Sequence, residues 1–517
     1  MMSPTDQLNK LKIAQGYVRD ILLAPIYDIA VQTSVDRLSI LSTRLENSVF
    51  VKREDEQPVH SFKLRGAFNK LVGLSKEKQA LGVVAASAGN HAQGLALSAK
   101  TLGVVATIVM PETTPDIKVN AVRSHGANVV LKGKSFDEAN NFALTLASDK
   151  GLSYIHPFDD KEVIVGQGTV AKELLQQIRD LDVVFIPVGG GGLLAGMAVY
   201  IKQLKPEIKV IGVEPEGAAC LKAALEAGKP VDLGQVDLFA DGVAVKLIGT
   251  HTFELAQQYC DEVVTVNSDE ICAAIKDLFD DVRAVAEPAG ALSLAGLKKY
   301  VKTTGIKGKR LSCILSGANL NFDKLRYVAE RTELGEKKEA VLAVTIPERK
   351  GAFIEFCDAL GGKAITEFNY RYHDTSSAEI FVGVKMSDMS TDLPVLIQSL
   401  INKDYQVVDL TDNELAKLHI RHMVGGKPTQ KINEKIYSFE FPEYPGALSK
   451  FLTMLGQKWN ITMFHYRNHG AAFGQVLAGF EALEDDAAEL QGHLDAVGFN
   501  WKDESDNPSI KLFLKNK

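Results

Sequence analysis

The stretch Val183-Val184-Phe185-Ile186-Pro187-Val188-Gly189-Gly190-Gly191-Gly192-Leu193 runs an apolar strand straight into four glycines and the start of an apolar helical segment. The glycine run removes every side chain where the chain turns, so backbone N–H groups can converge on an anion at the N-terminus of the following helix. Phosphate is the natural guest. The spacing is not that of a dinucleotide fingerprint, and no Lys-Ser/Thr pair follows as in a nucleotide loop. The guest is therefore phosphorylated but smaller than a nucleotide, unless the run is only a flexible turn.

On both sides of this stretch, from about residue 20 to 330, short β-branched runs alternate with longer helical patterns. Such runs are Gly82 to Ala86, Val105 to Met110, Ala127 to Leu131, Val210 to Val213 and Leu311 to Leu315. Alternation of this kind predicts a mostly parallel sheet covered by helices on both faces. Active sites of such sheets lie beyond the C-terminal ends of the strands.

At 517 residues the chain exceeds one core and predicts about three domains. An apolar fraction of 46% with 24% charged residues is that of an ordinary globular protein. A net charge of -7 argues against general affinity for nucleic acid or an anionic membrane. The start, Met1-Met2-Ser3-Pro4-Thr5-Asp6-Gln7, has no basic segment leading into an apolar core, so no secretory signal is expected. No apolar stretch reaches the roughly 20 residues that span a bilayer. Cys220, Cys260, Cys272, Cys313 and Cys357 are scattered without CxxC spacing, so neither a metal cluster nor a disulfide framework is expected. A cytoplasmic location is the expectation.

The text changes after residue 323. Arg326 to Glu339 is charged and reads as a linking helix running into a polar turn. Beyond it the chain repeats itself. Val344-Thr345-Ile346-Pro347-Glu348-Arg349-Lys350-Gly351-Ala352-Phe353 is echoed by Phe439-Glu440-Phe441-Pro442-Glu443-Tyr444-Pro445-Gly446-Ala447-Leu448. Each copy continues into a helix ending in Leu-Gly (Leu360-Gly361, Leu455-Gly456). Each then yields a strand, Ile365 to Arg371 and Ile461 to Arg467, and Gly383 and Gly479 fall in register. Two copies of one β-α-β module are predicted, over 340–424 and 434–517, joined by a linker at Gly425-Gly426-Lys427-Pro428. The segment 1–325 is then one domain and 326–339 a linker helix.

Three further segments carry candidate chemistry. The first is His60-Ser61-Phe62-Lys63-Leu64-Arg65-Gly66-Ala67-Phe68, although a lysine opening an amphipathic helix is more often a solvated surface residue. The second, Ala85-Ala86-Ser87-Ala88-Gly89-Asn90-His91-Ala92-Gln93-Gly94, lies between a strand and an Ala-rich helix and exposes backbone N–H groups; Ser87 or Asn90 could equally be a helix cap. The third is Leu315-Ser316-Gly317-Ala318-Asn319-Leu320, in which Ser316 reads either as a site residue or as an ordinary turn serine. Together with the tetraglycine run, three of the four segments follow predicted strands, and strand ends in one parallel sheet converge.

In order and spacing these four segments resemble those of the fold-type II pyridoxal-phosphate enzymes. With the duplicated C-terminal module, the resemblance extends over nearly the whole chain and points to the biosynthetic threonine deaminases. It implies an α/β catalytic domain of two parallel-sheet subdomains followed by two α+β ACT-like regulatory modules. It also assigns roles. Lys63 would carry pyridoxal 5'-phosphate covalently and act as base toward the substrate Cα proton, which needs a lowered pKa. Gly189, Gly190, Gly191 and Gly192, with the N–H of Leu193, would bind the cofactor phosphate. Asn90 would hydrogen-bond the 3-hydroxyl, and Phe62 would pack near the ring. Ser316 would face the pyridine nitrogen. A serine there leaves the ring neutral and the electron sink weaker than a carboxylate would, which favours prompt β-elimination. Ser87, Gly89, Asn90 and His91 would grip the substrate carboxylate with preorganised N–H groups. Glu287, in Ala286-Glu287-Pro288-Ala289-Gly290, is a further cleft residue by resemblance.

Departures from sister families narrow the reading. O-acetylserine sulfhydrylases usually carry Thr-Ser-Gly-Asn-Thr in the carboxylate loop, where this chain has Ala86-Ser87-Ala88-Gly89-Asn90-His91. Threonine synthases usually show Asp-Arg after the lysine, where Leu64-Arg65 stands here. Serine racemases place a second serine acid on the opposite ring face, and Ala88 stands there. Some relatives bind a divalent metal after a Glu-Pro turn, but Gly217-Ala218-Ala219 after Glu214-Pro215 brings no acidic ligand, so no metal is expected.

The resemblance thus implies β-elimination of water from L-threonine, with L-serine a second substrate, giving 2-oxobutanoate and ammonia as the first step of isoleucine biosynthesis. The modules would bind isoleucine as inhibitor and valine as its opponent. Tyr370-Arg371 and Tyr466-Arg467 are the candidate effector contacts, although the tyrosines read equally as core. Phe368 and Phe464 read as core. A homotetramer is implied by kinship. Two other readings stand beside this one. A catabolic serine/threonine dehydratase typically lacks the C-terminal modules. A catalytically dead amino-acid sensor would have lost Lys63 or the glycine run, and both are intact.

Overall fold

A computed structural model of the chain describes residues 4–321, 323–335, 339–372, 377–413, 416, 432–442, 447–455, 458–467, 473–483, 486–507, 510 and 514. It divides into two units, Met1–Gly335 and Glu336–Lys517.

The first unit holds ten strands: β1 Val35–Arg37, β2 Ser48–Arg53, β3 Val83–Ala86, β4 Ala106–Met110, β5 Asn128–Leu131, β6 Ser153–Tyr154, β7 Val183–Pro187, β8 Lys209–Pro215, β9 Glu262–Val266 and β10 Arg310–Leu315. They form a six-stranded sheet in the order β1-β2-β10-β7-β8-β9 and a four-stranded sheet in the order β5-β4-β3-β6. Every pairing is parallel except β1 with β2 at the edge. Two sheets account for the single run of alternation read from the sequence.

Strand β7 shows why the unit folds this way. Val184, Ile186 and Val188 enter one apolar core, and Val183 and Phe185 enter another on the opposite face. A strand wanted by two cores carries no polar position, and each fully buried side chain of this size contributes about 1.5–3 kcal/mol. The helix Lys63–Val72 crosses the helix Lys161–Gln177 where Gly66 meets Gly166; a Cβ on Gly166 would lie 2.6 Å from the Gly66 Cα. Only glycines permit that approach, and it fixes the helix that begins at Lys63.

The charged segment after residue 323 departs from the expected linker. Its helix spans Asp323–Gly335 and belongs to the first unit, packed on the helix Ser268–Val282. Arg331 Nε donates to Asp269 at 2.5 Å and Thr332 Oγ1 to the Cys272 carbonyl at 3.3 Å. Part of the charge in this segment is ion pairing.

The second unit is one antiparallel sheet of eight strands: β11 Glu339–Pro347, β12 Ile365–Arg371, β13 Ser377–Lys385, β14 Gln406–Asp409, β15 Glu434–Pro442, β16 Asn460–Arg467, β17 Phe473–Glu481 and β18 Asn500–Asp503. Their order, β14-β11-β13-β12-β16-β17-β15-β18, reads as one four-strand set followed by its mirror image. Each copy is therefore longer than the predicted β-α-β: a further strand, helix and strand follow. The helices are Ala352–Ala359 and Met389–Ile401 in the first copy, Ala447–Leu455 and Ala487–Val497 in the second. The copies match in detail. Both carry a register shift early in the second strand, at Ile365/Glu367 and Ile461/Met463. A Cβ on Gly383 would strike Thr366 Oγ1 and Glu339 Oε1, and one on Gly479 would strike Thr462 Oγ1 and Glu434 Oε1. The central seam pairs Phe368 with Tyr466 and Tyr370 with Phe464. Phe368 and Phe464 are fully buried in the shared core, as their reading as core residues required. The predicted linker Gly425 to Pro428 lies outside the described residues. Among the described residues no helix is long and apolar enough to cross a membrane.

Candidate active site and effector cleft

In the first unit the ends of β3, β7 and β10 carry the Ser87 loop, the glycine run and Ser316. Main-chain bonds tie the lysine segment to them. Phe62 N–H donates to the Ser316 carbonyl at 3.2 Å, and Ala318 N–H to the His60 carbonyl at 2.9 Å, around a bridge between Ser61 and Gly317. His60 takes a left-handed φ of 53° at this turn. Gly94, one turn into the helix Asn90–Leu102, lies against the main chain of Lys63 and Leu64, where a Cβ would sit 3.0 Å from Leu64 N.

The glycine run is built as a cradle. Thr252 Oγ1 donates to the Gly190 carbonyl at 2.7 Å, and Cys220 Sγ to the Gly189 carbonyl at 3.4 Å. In a planar trans peptide the N–H points opposite its carbonyl, so tying these carbonyls back turns the Gly190 and Gly191 N–H groups the other way. Gly191, at φ 90°, caps the helix Gly192–Leu204, whose first N–H groups lack intrahelical partners. A Cβ on Gly190 would fall 2.2 Å from the Phe158 ring, so no larger residue fits. The donor set and the bare backbone suit a phosphate.

One loop joins cradle and lysine. Phe158 lies against Gly190, and the neighbouring Pro157 carbonyl accepts a 3.0 Å bond from Lys63 Nζ. Burial pushes the Lys63 amine down to about 8, partly opposed by the charge of Glu287. The amine is thus in part neutral near physiological pH. Phe62 lies beside it, with Nζ 5.3 Å from the ring centroid.

Asn90 sits at the centre of a chain of side chains. Its Nδ2 donates to Glu287 Oε1 at 2.6 Å, and its Oδ1 accepts from Asn319 Nδ2 at 2.7 Å. Burial pushes the Glu287 carboxyl up to about 7. Ser316 is buried, with Oγ 3.2 Å from the Ala289 carbonyl; its hydroxyl proton can turn from that carbonyl to a neutral ring nitrogen, which only accepts. Ser87 Oγ accepts from Gly89 N–H at 3.3 Å. His91 turns its side chain into the fold. Its ring is buried, with Nε2 3.0 Å from the Ile155 carbonyl, and burial with nearby Lys63 holds it down at about 3. The neutral ring is committed to the fold, which leaves only the His91 backbone N–H for a ligand.

Behind the lysine helix, Arg65 makes bidentate contacts with Glu54 (2.7 and 2.8 Å) and Glu173 (2.6 and 3.0 Å), and Lys52 reaches Glu173 at 2.6 Å. All four side chains are buried and their charges balance. Glu214 accepts from the N–H groups of Leu221 (2.7 Å) and Lys222 (2.9 Å), so this buried carboxylate closes a helix start.

Sequence reasoning missed Pro157, Phe158, Thr252 and Asn319. Strand β6, which precedes the Pro157-Phe158 loop, has two residues and leaves no periodicity. Asn319 lies within a quoted motif, but its spacing does not announce that it would reach Asn90.

In the second unit, Tyr370 Oη lies 2.8 Å from both carboxylate oxygens of Glu348, and burial followed by that carboxylate drives its pKa far above the ordinary phenol value. A cleft there is lined by Ile346, Glu348 and Phe353 of the first copy with Tyr370, and by Trp459 and Ile461 of the second. The helix Ala352–Ala359 starts beside it, capped by Gly351 at φ 86°. Arg371 does not share this cleft. Successive strand residues face opposite sides, and its guanidinium grips Glu434 through two bonds and the Leu514 carbonyl at 2.9 Å. Tyr466 is buried beside Phe368 in the seam. The side chain of Arg467 and the turn 443–446 lie outside the described residues.

The fold and the cradle-and-lysine site define a pyridoxal-phosphate-dependent enzyme of fold type II. Residues 26–317 match the pyridoxal-phosphate dependent enzyme family, and 330–420 and 425–514 each match the C-terminal regulatory domain of threonine dehydratase. The chain is 58% identical to L-threonine dehydratase biosynthetic IlvA of Salmonella typhimurium, over 99% of this chain and 100% of that one. The structure of processed threonine deaminase isoform 2 from Solanum lycopersicum superposes with a TM-score of 0.62 at 50% identity, over 62% of this chain and 89% of that one. Serine racemase from Dictyostelium discoideum follows at 0.55 and 34%, over 59% and 99%. The chain belongs to the threonine dehydratase family, in the form that carries two copies of the regulatory domain.

Proposed function

We propose that the chain releases ammonia from L-threonine, and also from L-serine, by eliminating water that the later hydrolysis returns, and that its second unit binds the amino acids that regulate it. The observation that carries the catalytic half is the loop Pro157-Phe158, which brings the buried amine of Lys63 beside the glycine cradle.

Gly189 to Leu193 would hold the phosphate of pyridoxal phosphate and Lys63 its aldehyde carbon, and the group so held would supply an electron sink for the Cα–H bond of an amino acid. Backbone N–H groups from Ser87 to His91, at a helix start, hold the substrate carboxylate. Lys63 Nζ would take the Cα proton, its lowered pKa leaving the amine able to accept it, and would hand that proton to the departing β-hydroxyl. Ser316 accepts no negative charge and donates no strong proton to the ring nitrogen, which favours loss of the β-hydroxyl as water. The released 2-aminocrotonate becomes an imine, and water hydrolyses it to 2-oxobutanoate and ammonia.

For regulation we assign isoleucine as inhibitor and valine as its opponent, bound in the cleft at Tyr370. The cleft, about 20 Å³ as it stands, would open to admit the effector, with Glu348 toward the ammonium, the start of the helix Ala352–Ala359 toward the carboxylate, and Ile346, Phe353 and Ile461 toward the branched side chain. Tyr466 marks the equivalent place in the second copy. This fits a cytoplasmic homotetramer acting first in isoleucine biosynthesis, with catalytic residues within 1–325 and regulatory modules at 340–424 and 434–517. The test is absorbance of the purified chain with added pyridoxal phosphate, then 2-oxobutanoate release from threonine and serine with isoleucine or valine present. A visible cofactor band, keto-acid release and inhibition by isoleucine are expected. A band without keto acid overturns the catalytic half, and release indifferent to isoleucine overturns the regulatory half.

A further inference from the structure

We infer that Asn319 is a positioning residue for the cofactor, setting which end of the Asn90 amide faces the cleft. This rests on the proposed role of Asn90 toward the cofactor's 3-oxygen. Asn319 Nδ2 lies 2.8 Å from the Val59 carbonyl and 2.7 Å from Asn90 Oδ1. A main-chain carbonyl only accepts, so the Asn319 end beside Val59 is the NH2 group. That NH2 directs its second proton at Asn90, and the Asn90 atom there is the oxygen. The Asn90 NH2 therefore lies on the other side, 2.6 Å from Glu287 Oε1.

Polarity thus runs in one direction, from the Val59 carbonyl through Asn319 and Asn90 to Glu287. With one N–H on Glu287, Asn90 keeps a single N–H, and this is the donor for the cofactor oxygen. The chain is tightly built. A Cβ on Gly317 would lie 2.5 Å from Glu287 Oε1 and 3.2 Å from Asn90 Nδ2, so the backbone between Ser316 and Asn319 closes over the pair. Without Asn319 nothing on that side distinguishes the two ends of the Asn90 amide. With a pure acceptor there, Asn90 turns over and presents its oxygen to the cofactor.

The test uses the full chain and pyridoxal phosphate as probe. Asn319→Asp keeps the shape and replaces the NH2 by an acceptor; Asn319→Ala removes the link. The readouts are the dissociation constant of pyridoxal phosphate, the absorption maximum of the loaded protein, and its thermal midpoint. Asn319→Asp is expected to weaken cofactor binding about tenfold or more and to move the absorption maximum, with Asn319→Ala losing less. Adding Asn90→Ala to Asn319→Asp is expected to cause little further loss, because the two act as one unit. If Asn319→Asp fails to fold, Asn319→Ala is read by the same band and affinity. A folded variant with the wild-type band and affinity overturns the inference, as does strict additivity with Asn90→Ala or a thermal loss without spectral change. Wild-type chain that takes up no pyridoxal phosphate overturns instead the reading of Asn90 on which this rests.

Discussion

The two units each offer a helix start and a nearby ionisable group to an amino acid, yet they assemble these in opposite ways. In the first unit the parts come from remote segments, near residues 63, 90, 158, 190, 287 and 317, and bonds from another segment tie most of them in place. In the second, one turn of the first copy supplies most of the cleft and the second copy supplies a wall through Trp459 and Ile461. The first arrangement leaves few alternatives to a single geometry, as chemistry requires. On the proposed reading an effector in the second would touch both copies, so that binding there would favour one arrangement of the repeat over another, which regulation requires.

If that contrast is right, changes in the first unit abolish turnover or stability, whereas changes in the cleft alter only the response. The largest effect is expected for Lys63→Ala, which should lower kcat by about 10⁴-fold or more with the fold intact, measured as 2-oxobutanoate release. Arg65→Ala comes next. It leaves Glu54 and Glu173 buried with one cation fewer, and denaturant unfolding should report a loss of about 3–5 kcal/mol. Glu348→Gln should raise the isoleucine concentration for half-inhibition about tenfold while leaving uninhibited turnover unchanged. A fall in basal turnover would instead merge the two regions.

The smallest effect concerns His91. Its ring is a base whose pKa is lowered by folding, so the unfolded chain takes the proton first. The stability this neutral ring contributes is complete above about pH 6.5 and is lost as pH falls toward about 3. Comparing thermal midpoints of wild type and His91→Gln, the gap should therefore narrow between pH 7.5 and pH 5.5. A gap that widens on acidification would show the ring charged in the fold.

The same contrast explains what could be read in advance. Strands buried on both faces, such as Val183 to Pro187, announce themselves by an unbroken apolar run, and a glycine run after one marks a place where side chains are forbidden. The repeat was legible because one structural problem is solved twice, down to the close contacts at Gly383 and Gly479. Partners were not legible. Nothing local says that Pro157 meets Lys63, that Asn319 meets Asn90, or that His91 turns to the Ile155 carbonyl, because those distances belong to the assembled sheets. Arg371 follows Tyr370 in sequence, but a strand sends adjacent residues to opposite faces, so the pair does not share one cleft. The charged stretch Arg326 to Glu339 reads as a linking helix, and nothing local tells that Arg331 is nearly buried against Asp269.

The measurement that bears most directly on the account is the attachment site of the cofactor. Borohydride reduction of the full chain loaded with pyridoxal phosphate fixes the cofactor to whichever lysine carries it, and peptide mass mapping then locates it. The account predicts a single label on Lys63. A label on any other lysine, or loading that leaves Lys63 unlabelled, would contradict it.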